Sequence, residues 1–250
     1  MTLAHTQIHP GVPARLAQVP SLLLSANMST TRFCLPVRVV EYDIPDAKLF
    51  LVNNFLSPPV IDPLLLHLRR DIAWTQQKVT IQKPQGPFEV LEPRYTAFMA
   101  DIGIKYMYSG KDNIGSGWTQ PFYELKTWVE LALTQYCGLH QVSFNAAQFN
   151  MYLGNHQSLG LHSDNEPDLD PDAPIASVSF GVPRDFVIAR KEDRANQFRL
   201  PLSSGSLLIM AGAMQKHYLH GVPCGYQQQI GARFNITFRV CLPRETRDAT

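Results

Sequence analysis

The clearest alternation of apolar and polar positions lies near the C-terminal end, in the segment GARFNITFRV at residues 231–240. A period of two predicts a β-strand with one face turned toward a core. The apolar set is Ala232, Phe234, Ile236, Phe238 and Val240, and the opposite face carries Arg233, Asn235, Thr237 and Arg239. A solvated face would explain the polar set, whereas a buried face requires an anion to meet the arginines. The strand alone leaves both interpretations open.

Two segments nearer the N-terminus carry the period of 3.6 residues that is typical of amphipathic helices. The first covers residues 57–72 and opens on two prolines, and the second covers residues 119–138. Thr119 is suited to cap the second helix and Gly138 to end it. Residues 74–92 alternate weakly around a Gly-Pro pair and predict a hairpin between the helices.

From residue 142 onward the pattern changes to short strands. The predicted strands cover residues 144–153, 175–182, 185–189, 198–202, 206–210, 217–222 and 232–241. Short strands in this number after two helices indicate two packed antiparallel sheets. The predicted fold class is α+β, with a double-stranded β-helix (jelly-roll) core and flanking N-terminal helices.

Composition indicates one globular domain without a strong overall charge. The 250 residues are 45% hydrophobic and 17% charged, which suffices for one sizeable core. The formal net charge is only +1, so no global field attracts a nucleic acid, and phosphate binding would need a local patch. One basic cluster could form that patch or could be a solvated face: Arg184, Arg190, Lys191, Arg194 and Arg199.

Cysteine spacing and hydropathy favour an intracellular protein. The four cysteines form no C-x-x-C pair, which argues against a disulfide framework or a zinc site. No apolar run reaches the roughly 18 residues of a membrane span, so we expect no membrane partner. Residues 1–40 lack Asp and Glu and are rich in Ser, Thr and Pro. We expect a disordered tail there, with a targeting segment as the alternative, and one catalytic domain at residues 41–250.

A candidate metal site lies in the segment QFNMYLGNHQSLGLHSDN, which holds the only His-x-Asp or His-x-Glu among the eight histidines. Side chains two apart in an extended segment point the same way, so His162 and Asp164 can close on one ion. His220 would bring the third ligand, with His217 and His156 as its competitors. Two histidines and one carboxylate with open positions form the facial triad of non-haem Fe(II) oxygenases.

An ordered set of motifs resembles the signature of the AlkB family of Fe(II)/2-oxoglutarate nucleic-acid demethylases. The motifs are Asn150-x-Tyr152, His162-x-Asp164, His220 and Arg233-x-Asn235-x-Thr237-Phe238-Arg239. Residues 93–110, 174–187 and 200–210 are in addition similar to the family member that acts on duplex DNA. The resemblance extends from about residue 45 to residue 243.

The resemblance implies a jelly-roll fold and a role for each motif. His162, Asp164 and His220 would be the catalytic ligands of Fe(II). His220 lies 13 residues before Arg233, close to the spacing of the distal ligand in the family, which favours it over His217. The 2-oxoglutarate pocket would consist of Asn150, Tyr152, Arg233, Asn235, Thr237 and Arg239.

Four further residues would bind the substrate by the same resemblance. Tyr106 and Tyr108 are two apart, so both rings could stack on an extruded base, although tyrosine is also common in half-buried strands. Glu166 corresponds to a carboxylate at the mouth of the lesion pocket. Arg94 corresponds to a residue on a DNA-facing hairpin.

Two departures affect the expected substrate. Residues 221–231 contain no Lys or Arg, whereas the duplex-acting family member has a basic run there. Its hydrophobic wedge has no aligned counterpart, and Pro87 and Phe88 are only nearby substitutes. Both losses weaken the expected affinity for duplex, so we expect single strands to be repaired at least as well.

The reaction implied by the resemblance is oxidative demethylation of N-alkylated bases such as 1-methyladenine and 3-methylcytosine. It consumes O2 and 2-oxoglutarate and releases formaldehyde, as direct-reversal alkylation repair of DNA, with RNA as an open alternative. A hydroxylase of a protein or small molecule is one rival, and a catalytically silent nucleic-acid-binding module is another. We expect a monomer in the nucleus, or in the mitochondrion if the acid-free N-terminus is a targeting segment.

Overall fold

The computed structural model describes residues 12–19, 35–108, 111–225 and 231–243. The described helices are α1 (Pro58–Arg70), α2 (Gln120–Cys137) and the short α3 (Met214–His217). The strands are β1 (Ala14–Val19), β2 (Val37–Tyr42), β3 (Ala47–Asn53), β4 (Lys78–Lys83), β5 (Gly86–Leu91), β6 (Tyr95–Ala100), β7 (Lys105–Tyr108), β8 (Lys111–Ile114), β9 (Ala146–Tyr152), β10 (Leu159–His162), β11 (Ile175–Gly181), β12 (Arg184–Arg190), β13 (Gln197–Leu202), β14 (Leu207–Gly212), β15 (Tyr218–Val222) and β16 (Arg233–Arg239).

Two antiparallel sheets form the centre of the fold. The larger has the strand order β1-β2-β3-β14-β11-β16-β9-β6, and the smaller has the order β10-β15-β12-β13. Hairpins β4–β5 and β7–β8 each form a separate two-stranded sheet. Side chains of both main sheets, among them Tyr152, Ile188 and Leu208, pack in one buried cluster, so the sheets lie face to face. The predicted α+β jelly-roll class is confirmed.

The two long helices cover the outer face of the larger sheet. Leu68 of α1 and Leu125 of α2 share a second buried cluster with Phe234 and other sheet residues. Both helices begin with proline in the first turn, where the missing N–H costs no hydrogen bond. Gly138 ends α2 with a left-handed φ of 64°, which glycine adopts without strain.

Strand β16 decides between the two interpretations of its polar face. All seven of its residues are buried. Phe234, Ile236 and Phe238 pack with the helices, so the alternate polar side chains point between the two sheets. The solvated-face interpretation is therefore wrong, because this face looks into the interior of the sandwich.

The N-terminal segment departs from expectation. Residues 14–19 form β1, which pairs along its whole length with β2, and residues 37–40 lie within β2 itself. Most of β1 is exposed, so its order rests on backbone hydrogen bonds that a side-chain pattern does not reveal. The disordered-tail prediction is wrong for these two stretches. Residues 1–11 and 20–34 lie outside the described part of the chain.

Other differences from the sequence pattern are local. The hairpin at residues 74–92 is confirmed as β4–β5, but β6, β10 and the β7–β8 hairpin were not predicted. His217 ends α3 instead of opening a strand, and α1 stops at Arg70, before the predicted end. Within the described ranges, the helices lack the combined length and apolarity needed to cross a membrane.

Candidate active site

The three side chains of the predicted metal triad meet at the edge of the smaller sheet. His162 ends β10 and lies opposite His220 of β15, with 4.5 Å between the ring centroids. Asp164 follows two residues later, and one ligand atom from each residue lies within 4.8 Å of the others. Gly221 permits the strand approach, because an added Cβ would lie 2.6 Å from the carbonyl oxygen of Leu159.

The ligand atoms of the triad are turned toward one another. Asp164 Oδ1 lies 3.3 Å from His162 Nε2 and 3.8 Å from His220 Nε2, and it is buried without a hydrogen-bond donor. The other carboxylate oxygen, Oδ2, accepts bonds from Arg239 Nε at 3.1 Å and Nη2 at 2.6 Å. His162 Nδ1 lies 2.9 Å from the carbonyl of Gly160, which leaves Nε2 as the free nitrogen. This donor set fits a divalent cation.

The charge states of these groups also suit a cation. Burial raises the pKa of Asp164, but Arg239 and the two histidines outweigh it and hold that pKa well below its usual range. Burial lowers the pKa of His220 to about 3, so its imidazole is neutral. Burial lowers the pKa of His162 as well, but the neighbouring carboxylate of Asp164 outweighs it and raises that pKa. A metal ion at this point would require the neutral form of His162, because only that form has a nitrogen lone pair free for the metal.

A polar network on β9, β16 and β11 lies between the two sheets. The register pairs Asn150 with Asn235. Asn150 Nδ2 donates to Asn235 Oδ1 at 3.2 Å, and Thr237 Oγ1 donates to the same oxygen at 2.9 Å. Asn235 Nδ2 in turn donates to Ser177 Oγ at 2.6 Å. The amide orientations are therefore fixed before any ligand binds.

Arg233 is a buried guanidinium with unused donors. It is 2% exposed, its Nη2 donates to Ser179 Oγ at 3.3 Å, and its Nε and Nη1 have no hydrogen-bond partner. Its carbon Cζ lies 5.3 Å from the ring centroid of Tyr152. Burial lowers the pKa of Arg233. Unused N–H donors on a buried guanidinium fit a carboxylate.

The buried charges of the described residues do not cancel. Two carboxylates are buried, those of Glu92 and Asp164, whereas five cationic side chains are buried: Arg94, Lys126, Arg184, Arg233 and Arg239. A divalent metal would add further positive charge. Buried charge is costly unless it is paired, so a dianion such as 2-oxoglutarate would offset the excess.

Comparison with known proteins agrees with this donor set. Residues 48–239 match the family described as the 2OG-Fe(II) oxygenase superfamily. The chain belongs to this superfamily. Its ordered motifs and its relatives place it in the AlkB family, whose members use Fe(II) and 2-oxoglutarate, and the groups of this site fit both.

Two relatives show the extent of the match. The chain is 34% identical over 157 residues to human "DNA oxidative demethylase ALKBH2", which covers 60% of this chain and 57% of that protein. It is 32% identical over 219 residues to the Arabidopsis thaliana protein of the same name, and this match covers 78% of this chain and 67% of that protein. The matches cover only 55% to 63% of the length of the human, mouse and bovine proteins.

A solved structure supports the fold of this AlkB-family chain. "The structure of OsALKBH1" superposes with a TM-score of 0.55 at 18% identity and covers 82% of this chain and 100% of that one. At this identity the likeness concerns the fold alone.

The two tyrosines proposed to stack on a base differ in what the structure shows. Tyr106 is 1% exposed, and its ring stacks on Phe98 at 5.8 Å with Arg239 Cζ at 5.9 Å. Its ring is thus enclosed, and stacking on an extruded base would require it to move. The side chain of Tyr108 lies outside the described residues.

Glu166 lies beside the metal ligands. Burial and the charge of Asp164 raise the pKa of Glu166, and the nearby Arg239 and Tyr106 only partly offset that rise. Glu166 therefore belongs to the wall between the triad and Tyr106. The role of Glu166 at the mouth of a lesion pocket stays a prediction.

Arg94 and Arg184, which the sequence offered as possible contacts to nucleic acid, are both buried. Arg94 is 2% exposed and donates to Asn150 Oδ1 at 2.7 Å, on the cosubstrate side. Arg184 donates to three backbone carbonyls at 2.6 to 3.2 Å; they are those of Gly154, Gln157 and Pro223. Arg184 therefore ties loops together and is unavailable to phosphate.

The exposed members of the basic cluster are also engaged. Arg190 pairs with Asp46 and Glu192 at 3.2 and 3.1 Å, and Arg199 lies 3.5 Å from Asp185. These pairs favour the solvated-face interpretation of the cluster.

Sequence reasoning missed two residues that complete the site. Gln215 of α3 accepts the backbone N–H of Asp164 through Oε1 at 2.9 Å, which fixes the turn that carries this ligand. Gln148 is buried on the interior face of β9, and its Oε1 has no partner. Gln148, Asn150 and Tyr152 are spaced by two residues in QFNMY, so the sequence could have predicted that all three share one face of the strand. No pattern in the sequence indicated Gln215.

Proposed function

We propose that this chain is an Fe(II)- and 2-oxoglutarate-dependent dioxygenase that oxidatively demethylates N-alkylated bases in DNA. The observation that carries the proposal is the buried Asp164 Oδ1, which faces two imidazoles and accepts no hydrogen bond, together with the buried Arg233, whose Nε and Nη1 have no hydrogen-bond partner. The relatives named DNA oxidative demethylase supply the substrate class. Bases such as 1-methyladenine and 3-methylcytosine are the expected substrates.

The protein's contribution is to hold the reactants in register. Bound Fe(II), with 2-oxoglutarate and O2, supplies oxidation of the N-methyl group to a hydroxymethyl group that leaves as formaldehyde, with succinate and CO2 as the other products. His162, Asp164 and His220 would hold the metal, and three protein ligands leave coordination positions open. Arg239 keeps Oδ2 of Asp164 occupied, so Oδ1 remains turned inward.

The cosubstrate would lie along the interior face of β9 and β16. Arg233 would bind one carboxylate through its unused N–H donors, beside the ring of Tyr152. Asn150, Asn235 and Thr237 would line the path toward the triad, and their mutual hydrogen bonds preorganise it. Water is excluded because every one of these side chains is buried.

The base would enter on the side of Tyr106 and Glu166. The ring of Tyr106 lies 5.9 Å from Arg239 Cζ, and the charge of Arg239 acts on Glu166 by lowering its pKa. Arg239 in turn donates to Asp164, the proposed metal ligand. A base at this point would bring its methyl group to the metal, and extrusion from a duplex would cost a few kcal/mol. Tyr108, on the same strand as Tyr106, is the second candidate for stacking on the base.

The test is demethylation of a defined oligonucleotide. Purified protein is incubated with Fe(II), 2-oxoglutarate and a single-stranded oligonucleotide that carries one 1-methyladenine, and the products are measured by mass spectrometry. We expect unmodified adenine, formaldehyde and succinate in equal amounts, with little succinate when the oligonucleotide is unmethylated. Succinate release that responds only to a protein or small molecule would indicate a hydroxylase instead, and no succinate at all would indicate a binding module. We expect the active form to be a nuclear monomer.

A further inference from the structure

Arg94 lies at the junction between the β4–β5 hairpin and the larger sheet. It follows the end of β5 by three residues and directly precedes β6. Its side chain is 2% exposed, and that of its neighbour Glu92 is 3% exposed. An arginine that bound nucleic acid from this place would have to leave the interior.

The contacts of Arg94 point inward, to the 2-oxoglutarate side. Its Nε donates to Asn150 Oδ1 at 2.7 Å. Since an arginine can only donate, this bond fixes which end of the Asn150 amide is the oxygen. The opposite end, Nδ2, then points to Asn235 Oδ1 at 3.2 Å. Arg94 therefore sets the orientation of the first amide in the cosubstrate network.

Glu92 holds Arg94 from the base of the hairpin. Its Oε1 lies 3.8 Å from Arg94 Nη2, and its Oε2 accepts the Thr96 hydroxyl at 3.3 Å. The backbone of Glu92 is bonded across the hairpin stem: its N–H donates to the carbonyl oxygen of Gln77 at 2.7 Å, and its carbonyl accepts a bond from Gln76 Nε2 at 2.8 Å. The pair thus connects the hairpin stem rigidly to Asn150.

We propose that Arg94 is a positioning residue for 2-oxoglutarate, which acts through the amide of Asn150, and that it is not a nucleic-acid contact. The inference rests on the proposed function for the identity of the cosubstrate. Without the Arg94 donor, the Asn150 amide is free to turn, and the carbonyl oxygen then faces Asn235 Oδ1 and disrupts the path for the dicarboxylate. The loss is in cosubstrate binding and not in oligonucleotide binding.

The first test measures 2-oxoglutarate binding directly, without turnover. The whole protein is loaded with Mn(II) in place of Fe(II) and titrated calorimetrically with 2-oxoglutarate in the absence of nucleic acid. Arg94→Met is made together with Glu92→Gln, so that no buried carboxylate is left unpaired, and Glu92→Gln alone is the reference. We expect the added Arg94→Met to weaken 2-oxoglutarate about tenfold, the loss of one charge-assisted hydrogen bond. Binding of a methylated oligonucleotide should remain within about twofold.

The opposite pattern would overturn the inference: 2-oxoglutarate affinity unchanged and oligonucleotide affinity lost. If the double variant does not fold, as judged by its thermal transition, Arg94→Lys is titrated in its place. A lysine keeps the charge but lacks the rigid Nε–H, so we expect a loss of several-fold, and unchanged affinity would again contradict the role. Arg199→Met, at an exposed arginine, is the matched control and should bind 2-oxoglutarate normally.

The second test separates positioning from a general structural effect. Arg94→Met/Glu92→Gln is repeated in an Asn150→Ala background and titrated in the same way. If Arg94 acts through Asn150, its replacement causes no further loss there. Additive losses would show that Arg94 acts by another route. Because nucleic acid is absent, the result stands apart from the demethylation assay, so a failure of the proposed function and a failure of this inference are distinguishable.

Discussion

The interior of the sandwich and the two hairpins beside it are built differently. In the interior, polar side chains of β9 and β16 are buried, and Asn150, Asn235 and Thr237 hold one another. The hairpins β4–β5 and β7–β8 instead pair only within themselves. They present apolar side chains that are 46% to 63% exposed: Phe88, Leu91, Met107 and Ile114.

Under the proposed function, the difference reflects what each region would bind. A small dianion and a metal ion need donors that are fixed in advance, because preorganised groups lose little freedom on binding. A nucleic acid needs a surface that can adapt to a long, mobile partner. Changes in the interior should therefore abolish or strongly weaken function, whereas changes on the hairpins should shift preference by small factors.

The largest effect is expected at the triad. Asp164→Asn keeps the shape of the side chain but removes the charge that the metal requires, so we expect no detectable succinate and no Mn(II) binding by calorimetry. His162→Ala and His220→Ala should behave likewise. His217→Ala is the control, because His217 ends α3 outside the ligand group, and it should retain most activity. An inactive His217→Ala beside an active His220→Ala would reassign the third ligand.

A smaller but still large effect is expected at Arg233. Arg233→Ala removes a charge-assisted carboxylate contact worth about 1.5–3 kcal/mol, so the 2-oxoglutarate KM should rise by roughly 10- to 100-fold. The measurement is a 2-oxoglutarate titration at a fixed, saturating oligonucleotide concentration. Arg199→Ala, an exposed arginine that pairs with Asp185, should leave the KM unchanged. Equal 2-oxoglutarate KM values for both variants would show that Arg233 has only a structural role and does not bind the cosubstrate.

Arg184 is expected to affect stability more than substrate binding. Arg184→Met leaves three backbone carbonyls without their buried donor, and we expect a loss of about 2–4 kcal/mol in the free energy of unfolding, measured by urea titration. Arg199→Met should change it by no more than about 0.5 kcal/mol. If Arg184→Met has normal stability but binds the oligonucleotide more weakly, Arg184 binds phosphate after all.

Sequence reasoning found the interior chemistry because its signals are periodic or local. Parity separated the two faces of β16, and the His-x-Asp spacing with the family resemblance predicted the triad that the structure brings together. It offered Arg94 as a contact on a DNA-facing hairpin and Arg184 as part of a cluster that could bind phosphate or be a solvated face, whereas both are buried. Their partners are a side chain 56 positions away and backbone carbonyls, and neither leaves a pattern in the sequence. The edge strand β1 was missed for the same reason.

The smallest expected effect concerns the choice between single and double strands on the hairpin side. We predict that one 1-methyladenine sequence is repaired at least as well in single-stranded DNA as in duplex. Opening a base pair costs a few kcal/mol, and residues 221–231 contain no Lys or Arg to offset that cost by counterion release. The measurement is kcat/KM on single-stranded DNA, duplex DNA and RNA of the same sequence at one salt concentration.

Phe88 provides the control that locates any duplex preference. It is 53% exposed on β5, on the hairpin whose stem carries Glu92, so it is placed to enter a base stack if the hairpin does so at all. If single strands are preferred, Phe88→Ala should change kcat/KM by less than about threefold on every substrate, since no stacking energy of the order of 1–3 kcal/mol is lost. A duplex preference that disappears in Phe88→Ala would instead show that the hairpin opens base pairs, and that the exposed region discriminates between substrates as strongly as the buried one holds the cosubstrate.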